Sequence, residues 1–304
     1  MEFYARGKLL ISGAYLVLKG ATALVFPLRF GQKMAVEPVS DAVLDWYSFD
    51  TEGEWFHAKF TMPGFEVSES TSGDIAERLV KLLRAADDSG RLPATTGGWK
   101  VTTTLDFNRF WGLGSSSTLT WLVARWFGCD PWQLHRATSE GSGYDVAAAG
   151  TDRPFYYTLL PSGYREEPCT FAPGWRDRLW FVWLGKKTDS DKAVASFLSK
   201  KRKFSREVYT VSELSRRIAE APVLDDFEYY LKEEDLLLSS LLKLPRLQEK
   251  VFGDLSGTAV PLGAWGGDFA LITWRDSREE LRQYLKTKGL NIFFSFNEMT
   301  GQWI

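Results

Sequence analysis

Apolar residues recur along this chain at spacings that change from segment to segment, and each spacing predicts an element. The segment from Phe3 to Leu28 is apolar and punctuated by Gly7, Gly13 and Gly20. Within it, Leu9-Leu10-Ile11, Tyr15 to Leu18 and Ala23 to Phe26 read as short strands separated by turns. Ile75, Leu79, Leu82 and Leu83 share one face of a helix predicted over Ser72 to Ala86. Val101, Thr103 and Leu105 alternate, so Lys100 to Phe107 reads as a strand. Leu119, Leu122, Val123, Trp126 and Phe127 return at helical spacing. Asp130-Pro131-Trp132-Gln133 then marks a fresh helix start, with an Asp N-cap, Pro at the first position and Gln closing a capping box. That helix is expected to end near Gly141.

Pro161, Gly163, Pro168, Pro173 and Gly174 mark a loop-rich stretch. A domain boundary is expected there, dividing the chain into 1–172 and 173–304. Beyond it, Leu179 to Leu184 reads as a buried strand, and leucine-rich helical patterns run from Ser205 to Leu244. Phe269 to Trp274 and Asn291 to Phe296 read as strands. Between them, Ser277-Arg278-Glu279-Glu280 is a capping box ahead of a helix carrying Leu281, Tyr284 and Leu285. Strands and helices are mixed throughout, which indicates an α+β class.

Composition narrows the function. A chain of 304 residues allows one large domain or two ordinary ones, and an apolar fraction of 44% supplies a core. Its 37 basic and 39 acidic residues nearly balance, with no basic stripe, so nucleic acid is not an expected partner. Glu2, Arg6 and Lys8 interrupt any N-terminal apolar run, and no apolar stretch approaches the ~20 residues of a membrane span. No membrane partner and a cytoplasmic location are therefore expected, and the isolated thiols of Cys129 and Cys169 suit a reducing compartment. With only His57 and His135, a His-rich metal site is excluded. Chemistry falls to Asp, Glu, Lys, Ser and backbone amides. The 13 tryptophans read as core and cleft-lining residues.

Four segments could carry that chemistry. Gly112-Leu113-Gly114-Ser115-Ser116-Ser117 lies in a loop that opens a helix. A phosphate needs several N–H donors with little side-chain bulk between them, and such a loop supplies both donors and a favourable dipole. Serine hydroxyls add donors and can ligate Mg2+. The segment is neither a Walker loop nor a dinucleotide fingerprint, since Ser117 stands at the third glycine position. Its plain alternative is a flexible turn with a serine cap. In Gly141-Ser142-Gly143-Tyr144-Asp145-Val146-Ala147-Ala148-Ala149-Gly150, a carboxylate precedes a helix-prone alanine run. It could orient a hydroxyl and accept its proton, or simply cap the helix. Lys8 could offset charge on a transferring phosphoryl group, or be a solvated strand-end lysine. Gly263-Ala264-Trp265-Gly266-Gly267-Asp268 is a second glycine cluster, or a tight turn before a strand.

Taken in order, these segments resemble the motifs of GHMP kinases. Tyr4-Ala5-Arg6-Gly7-Lys8-Leu9-Leu10-Ile11-Ser12-Gly13 resembles A-P-G-K-[VIL]-x-[LI]-x-G-E-[HY]. Gly112 to Ser117 resembles the end of P-x-G-x-G-L-G-S-S-A, and Gly263 to Asp268 resembles G-A-G-x-G-G. Gly141 to Ala148 is similar to the G-S-G-[FY]-D-V-A-[AS] segment of phosphomevalonate kinases, and Gly266-Gly267-Asp268 to that branch's G-G-G-D-C. The resemblance implies two α+β lobes with ATP in the cleft between them, and transfer of its γ-phosphoryl group to an alcohol or phosphate acceptor of the mevalonate or phosphomevalonate type. It implies Lys8 and Asp145 as catalytic residues, and Gly112, Leu113, Gly114, Ser115, Ser116 and Ser117 around the triphosphate. It implies Ser142, Gly143, Tyr144, Gly263, Ala264, Gly266 and Gly267 along the substrate cleft, and Ser116 as a Mg2+ ligand.

The chain also departs from the pattern. Ala14 stands where an acid usually follows the glycine, Asn108 and Phe110 replace a Pro and a Gly, and Trp265 replaces a Gly. The position matching a Mg2+-binding Glu of mevalonate kinases is Leu134, which leaves Glu140 as the substitute. Two other readings use the same fold: a diphosphomevalonate decarboxylase-like enzyme, and an ATP-binding sensor without catalysis. Gly143-Tyr144-Asp145-Val146 argues against the first; Lys8 and Asp145 argue against the second, and Ala14 for it. Charged candidates for gripping an acceptor are Arg29, Lys186, Lys187 and Lys192. The acceptor and the oligomeric state are left open.

Overall fold

The structure, a computed structural model, describes residues 1–186, 195, 197–199, 202–263 and 268–301. By contact, the chain forms two compact units that interleave in sequence. One holds Met1–Gly7, Phe30–Arg109 and Leu113–Thr151; the other holds Lys8–Arg29, Phe110–Gly112 and Asp152–Ile304. A cut at 172/173 divides the chain once, whereas contacts divide it repeatedly. Two of those divisions fall inside strands, since β1 (Glu2–Ser12) and β2 (Ala23–Val39) each run from one unit into the other.

In the first unit, the later half of β2 joins β3 (Val43–Asp50), β4 (Gly53–Thr61), β5 (Glu66–Ser70) and β6 (Gly98–Leu105) in the order β5-β4-β3-β6-β2. Strands β3 and β6 run parallel, pairing Leu44–Phe49 with Trp99–Thr104. Alternation explains the sheet: along β3, Leu44, Trp46, Ser48 and Asp50 are buried and their neighbours half-buried. Helix α1 (Gly73–Ser89) buries Ala76, Leu79, Leu82, Leu83 and Ala86, the face its spacing predicts. With α2 (Ser115–Phe127), it covers Met34, Val36, Leu44, Trp46 and Phe56 in one core. Helix α3 (Pro131–Thr138) starts at the expected Asp130 cap, whose Oδ1 accepts from the Gln133 amide at 2.8 Å, but among the described residues the Gln133 side chain makes no return bond, so the expected capping box is only half formed. It stops at Thr138 rather than Gly141, because Ser139 is extended. Helix α4 (Tyr144–Ala149) follows.

In the second unit, the early half of β2 pairs Ala23–Val25 with Tyr157–Phe155 of β7 (Phe155–Leu160), and β7 pairs with β8 (Gly163–Pro168). The stretch read as loop-rich thus contains a strand. Tyr15 to Leu18, read as a strand, instead forms a 3-10 turn at Leu16–Lys19. Gly13 and Tyr15 both have positive φ (95° and 61°), which turns the chain so that the Val17 amide meets Gly13 O at 2.9 Å. A four-stranded antiparallel sheet runs β10-β11-β9-β12, from β9 (Leu179–Trp183), β10 (Ala259–Leu262), β11 (Phe269–Thr273) and β12 (Phe293–Ser295). Further helices are α5 (Ser205–Glu220), α6 (Leu224–Leu242), α7 (Leu247–Lys250), α8 (Arg278–Thr287) and α9 (Phe296–Thr300). Leu281 and Leu285 of α8 pack with Val182, Ala259, Ala270 and Ile272 of the sheet. Among the described residues, no helix is long and apolar enough to cross a membrane.

Candidate active site

In the first unit, the glycine–serine segment builds the start of α2. Gly114 is its N-cap, at φ 101° and ψ 31°, a left-handed conformation that glycine adopts without steric cost. Glycine offers no side-chain cap, and the first turn carries no acidic residue. The first amides of a helix have no partner within it, so the Ser115–Ser117 amides are oriented toward whatever lies off the helix end. Gly114 O is already engaged by the Thr118 amide at 2.9 Å and Ser117 Oγ at 2.8 Å. Leu113 and Ser117 are buried, while Ser116 is exposed.

Asp145 is the second residue of α4 rather than its cap. The cap is Gly143, at φ 79°. A Cβ on Gly143 would overlap the six-membered ring of Trp132. Trp132 stacks on His135, and His135 Nε2 lies 3.1 Å from Gly141 O, so the approach to α4 is held from behind. At the far end, a Cβ on Gly150 would come within 2.6 Å of Trp121 Nε1 on α2. These contacts account for two of the tryptophans: their indole rings occupy the space that a Cβ on Gly143 or Gly150 would need. Asp145 is half-buried and its Oδ1 accepts from the Val146 amide at 3.0 Å. Ser142 is buried and Tyr144 half-buried.

Glu140 is exposed in the loop before α4, and Leu134 is wholly buried in the core. Among the described residues, no three His, Cys, Asp or Glu side chains gather to hold a metal.

In the second unit, residues far apart in sequence meet. Lys8 Nζ donates to Gly112 O at 3.0 Å across a separation of 104 residues. Gly112, at φ 73°, packs against the Asp268 side chain so closely that a Cβ there would overlap it. Asp268 is itself buried, and its carbonyl accepts from the Leu184 amide at 2.9 Å. Gly263 and Ala14 line a common cavity of about 20 Å3. Members of the first, second and third glycine motifs are therefore in contact. Ala264, Gly266 and Gly267 lie outside the described residues, as do Trp265, Lys187 and Lys192.

Two residues around this turn escaped the sequence reading. Tyr15 holds a backbone conformation (φ 61°, ψ −45°) rare for a residue with a side chain, and its ring contacts Phe197. Glu234 on α6 is a buried carboxylate bonded to Ser12 and Gly13. Burial pushes its pKa up to about 7, with the Gly13 amide and Ser12 hydroxyl pulling the other way and Asp235 adding to the rise. The signal for it was available: Phe227, Leu231, Glu234, Asp235 and Leu238 recur at helical spacing and are all buried.

This architecture is the fold of the GHMP kinases. The phosphomevalonate kinase of Streptococcus pneumoniae, solved with phosphomevalonate and AMPPNP, aligns with a TM-score of 0.69 at 15% identity, over 97% of this chain and 99% of that one. The L. major mevalonate kinase, solved with R-mevalonate, aligns at 0.66 and 16% identity, over 97% and 94% of the two chains. The Lactococcus lactis galactokinase, solved with galactose, aligns at 0.66 and 13%, over 97% and 92%. No protein-family model and no curated protein sequence matches the chain.

Proposed function

We propose that this protein is an ATP-dependent small-molecule kinase that transfers the γ-phosphoryl group to an alcohol or phosphate acceptor, of the mevalonate or phosphomevalonate type. The observation that carries the proposal is the Lys8–Gly112–Asp268 contact, where three motifs remote in sequence converge. A solvated strand-end lysine and two unrelated turns would have no reason to meet. The fold supports the same reading.

Within it, the amides of Ser115, Ser116 and Ser117 at the start of α2 bind phosphate oxygens, because that helix end has donors without a local acceptor or anion. Lys8 offsets the negative charge of the transferring group. Asp145 orients the acceptor and, where it is an alcohol, takes the hydroxyl proton. Gly143 and Tyr144 set the position of Asp145 by starting α4 where they do. Gly263 borders the acceptor side. Mg2+ takes few protein oxygens beside phosphate and water, and the residues that would hold it are Ser116 and Glu140, both exposed. When bound, the ion supplies counter-charge to the phosphates. The test is calorimetric titration with Mg-ATP beside an ATP-consumption assay over mevalonate, phosphomevalonate, galactose and homoserine. Binding with acceptor-dependent consumption is expected. Binding without consumption on any acceptor favours the sensor, and no binding ends the proposal.

A further inference from the structure

The turn that follows the Lys8 strand is held by a carboxylate from a helix more than two hundred residues away in sequence. Glu234 on α6 is 4% exposed. Its Oε1 accepts from the Gly13 amide at 2.7 Å, and its Oε2 accepts from the Ser12 hydroxyl. Ser12 Oγ lies 2.7 Å from Ser215 Oγ on α5, and Ser215 donates to Thr22 O at 2.7 Å. Both ends of the connection between β1 and β2 are thereby tied to one helix pair. Between those ends sit the positive φ of Gly13 and Tyr15. Gly13 is also pressed against Ala23, so closely that a Cβ there would overlap it.

Burying a carboxylate is costly, and an apolar residue on this face of α6 would pack without that cost. The charged group that acts on Glu234 is Asp235, whose own Oδ2 is taken by Arg246 Nε at 2.6 Å. Asp235 Oδ1 is buried and has no hydrogen-bond partner among the described residues. Both acids line the 20 Å3 cavity onto which Ala14 opens, which has room for one water. Among the described residues, every side-chain hydrogen bond of Glu234 goes to the single turn at Ser12–Gly13. We infer that Glu234 is a positioning residue that clamps this turn, fixing where the Lys8 strand ends and holding Tyr15 in its strained conformation. The effect on turnover rests on the kinase reading; the clamp itself does not.

The test compares full-length wild type with Glu234→Ala, Glu234→Gln and Ser12→Ala by amide hydrogen exchange and by turnover. Glu234→Ala is expected to speed exchange at Ser12 to Tyr15 about tenfold or more, the value of a lost hydrogen bond to a charged group, with the β9–β11 strands unchanged. Glutamine still accepts from the Gly13 amide and can donate to Ser12 Oγ, so it restores most of the protection. Ser12→Ala falls between. In turnover, Glu234→Ala lowers kcat about tenfold while KM for ATP stays within about twofold, and glutamine rescues. Three results overturn the inference: unchanged exchange at Ser12 to Tyr15, a uniform rise across the whole unit, or faster exchange with no change in kcat. A wild type without turnover defeats the kinase reading instead, and the exchange data alone then decide the clamp.

Discussion

Replacing Gly143 by alanine probes how the Asp145 segment is built. The residue sits at φ 79° and ψ 4°, and an added Cβ would overlap the Trp132 ring and lie 3.1 Å from His135 Cδ2. Left-handed backbone costs alanine about 1 kcal/mol. The ring cannot retreat freely, because Trp132 stacks on His135 and His135 is bonded to Gly141 O. Forcing it aside adds about 1–3 kcal/mol. For a chain of 304 residues, a loss of about 2–4 kcal/mol lowers the melting temperature by about 3–6 °C. Gly73→Ala is the control: it opens α1, has nothing within 4 Å of its added Cβ, and is expected to be neutral or stabilising by up to about 1 kcal/mol. The assay is a thermal melt of both variants, followed by turnover at 25 °C. Gly143→Ala should lose activity beyond its unfolded fraction, since α4 and Asp145 start from this residue. A Gly143→Ala protein that melts with wild type and turns over normally would refute the reasoning.

Asp145→Asn is expected to cut turnover about a hundredfold or more while Mg-ATP affinity survives, because an amide cannot take the acceptor's proton; titration and turnover on one preparation check it. Gly114→Val should abolish Mg-ATP binding in a protein that still folds, since a branched side chain at φ 101° strains the backbone that must approach the phosphates; a melt and a titration read both. Glu234 has a carboxyl pKa raised from 4.5 to about 7, so its folded state favours the protonated form. Its contribution is fully present below about pH 4.5 and is lost as pH rises through about 7, by about 3 kcal/mol in all. Denaturant melts of wild type and Glu234→Gln at both ends of that window should therefore diverge as pH rises, and a constant difference would contradict the buried carboxylate. Ala14→Glu places a third carboxylate in a 20 Å3 cavity already lined by two, so it should destabilise by about 3 kcal/mol or more and lower turnover; a gain of turnover would point to a decayed sensor instead.

Much of the fold was legible because burial imposes a period. The face of α1, the alternation before the glycine–serine loop and the capping box at Ser277 all read directly from spacing. Short apolar runs were not: Tyr15 to Leu18 has no period long enough to separate a strand from a 3-10 turn, and two positive-φ residues decide it. Strands β3, β4 and β5 went unread because their outward positions carry aromatic and charged residues alike, which blurs alternation. At the candidate site, the glycine–serine loop was visible because phosphate binding and helix starts need the same small residues. Glu234 was hidden because it lies in the acidic run Glu233-Glu234-Asp235, which reads as a solvated face. Only its spacing from Leu231 and Leu238 marks it as inward-facing.

On the proposed function, the chain moves a phosphoryl group from ATP to a small acceptor. It is tested most directly by 31P NMR of protein, Mg-ATP and each acceptor in turn, with Asp145→Asn as the matched control. A new phosphoester or diphosphate resonance is expected with one acceptor, growing as ATP becomes ADP and growing about a hundredfold or more slowly with Asp145→Asn. ATP bound but unchanged in the presence of every acceptor, or a product that forms equally with Asp145→Asn, would contradict it.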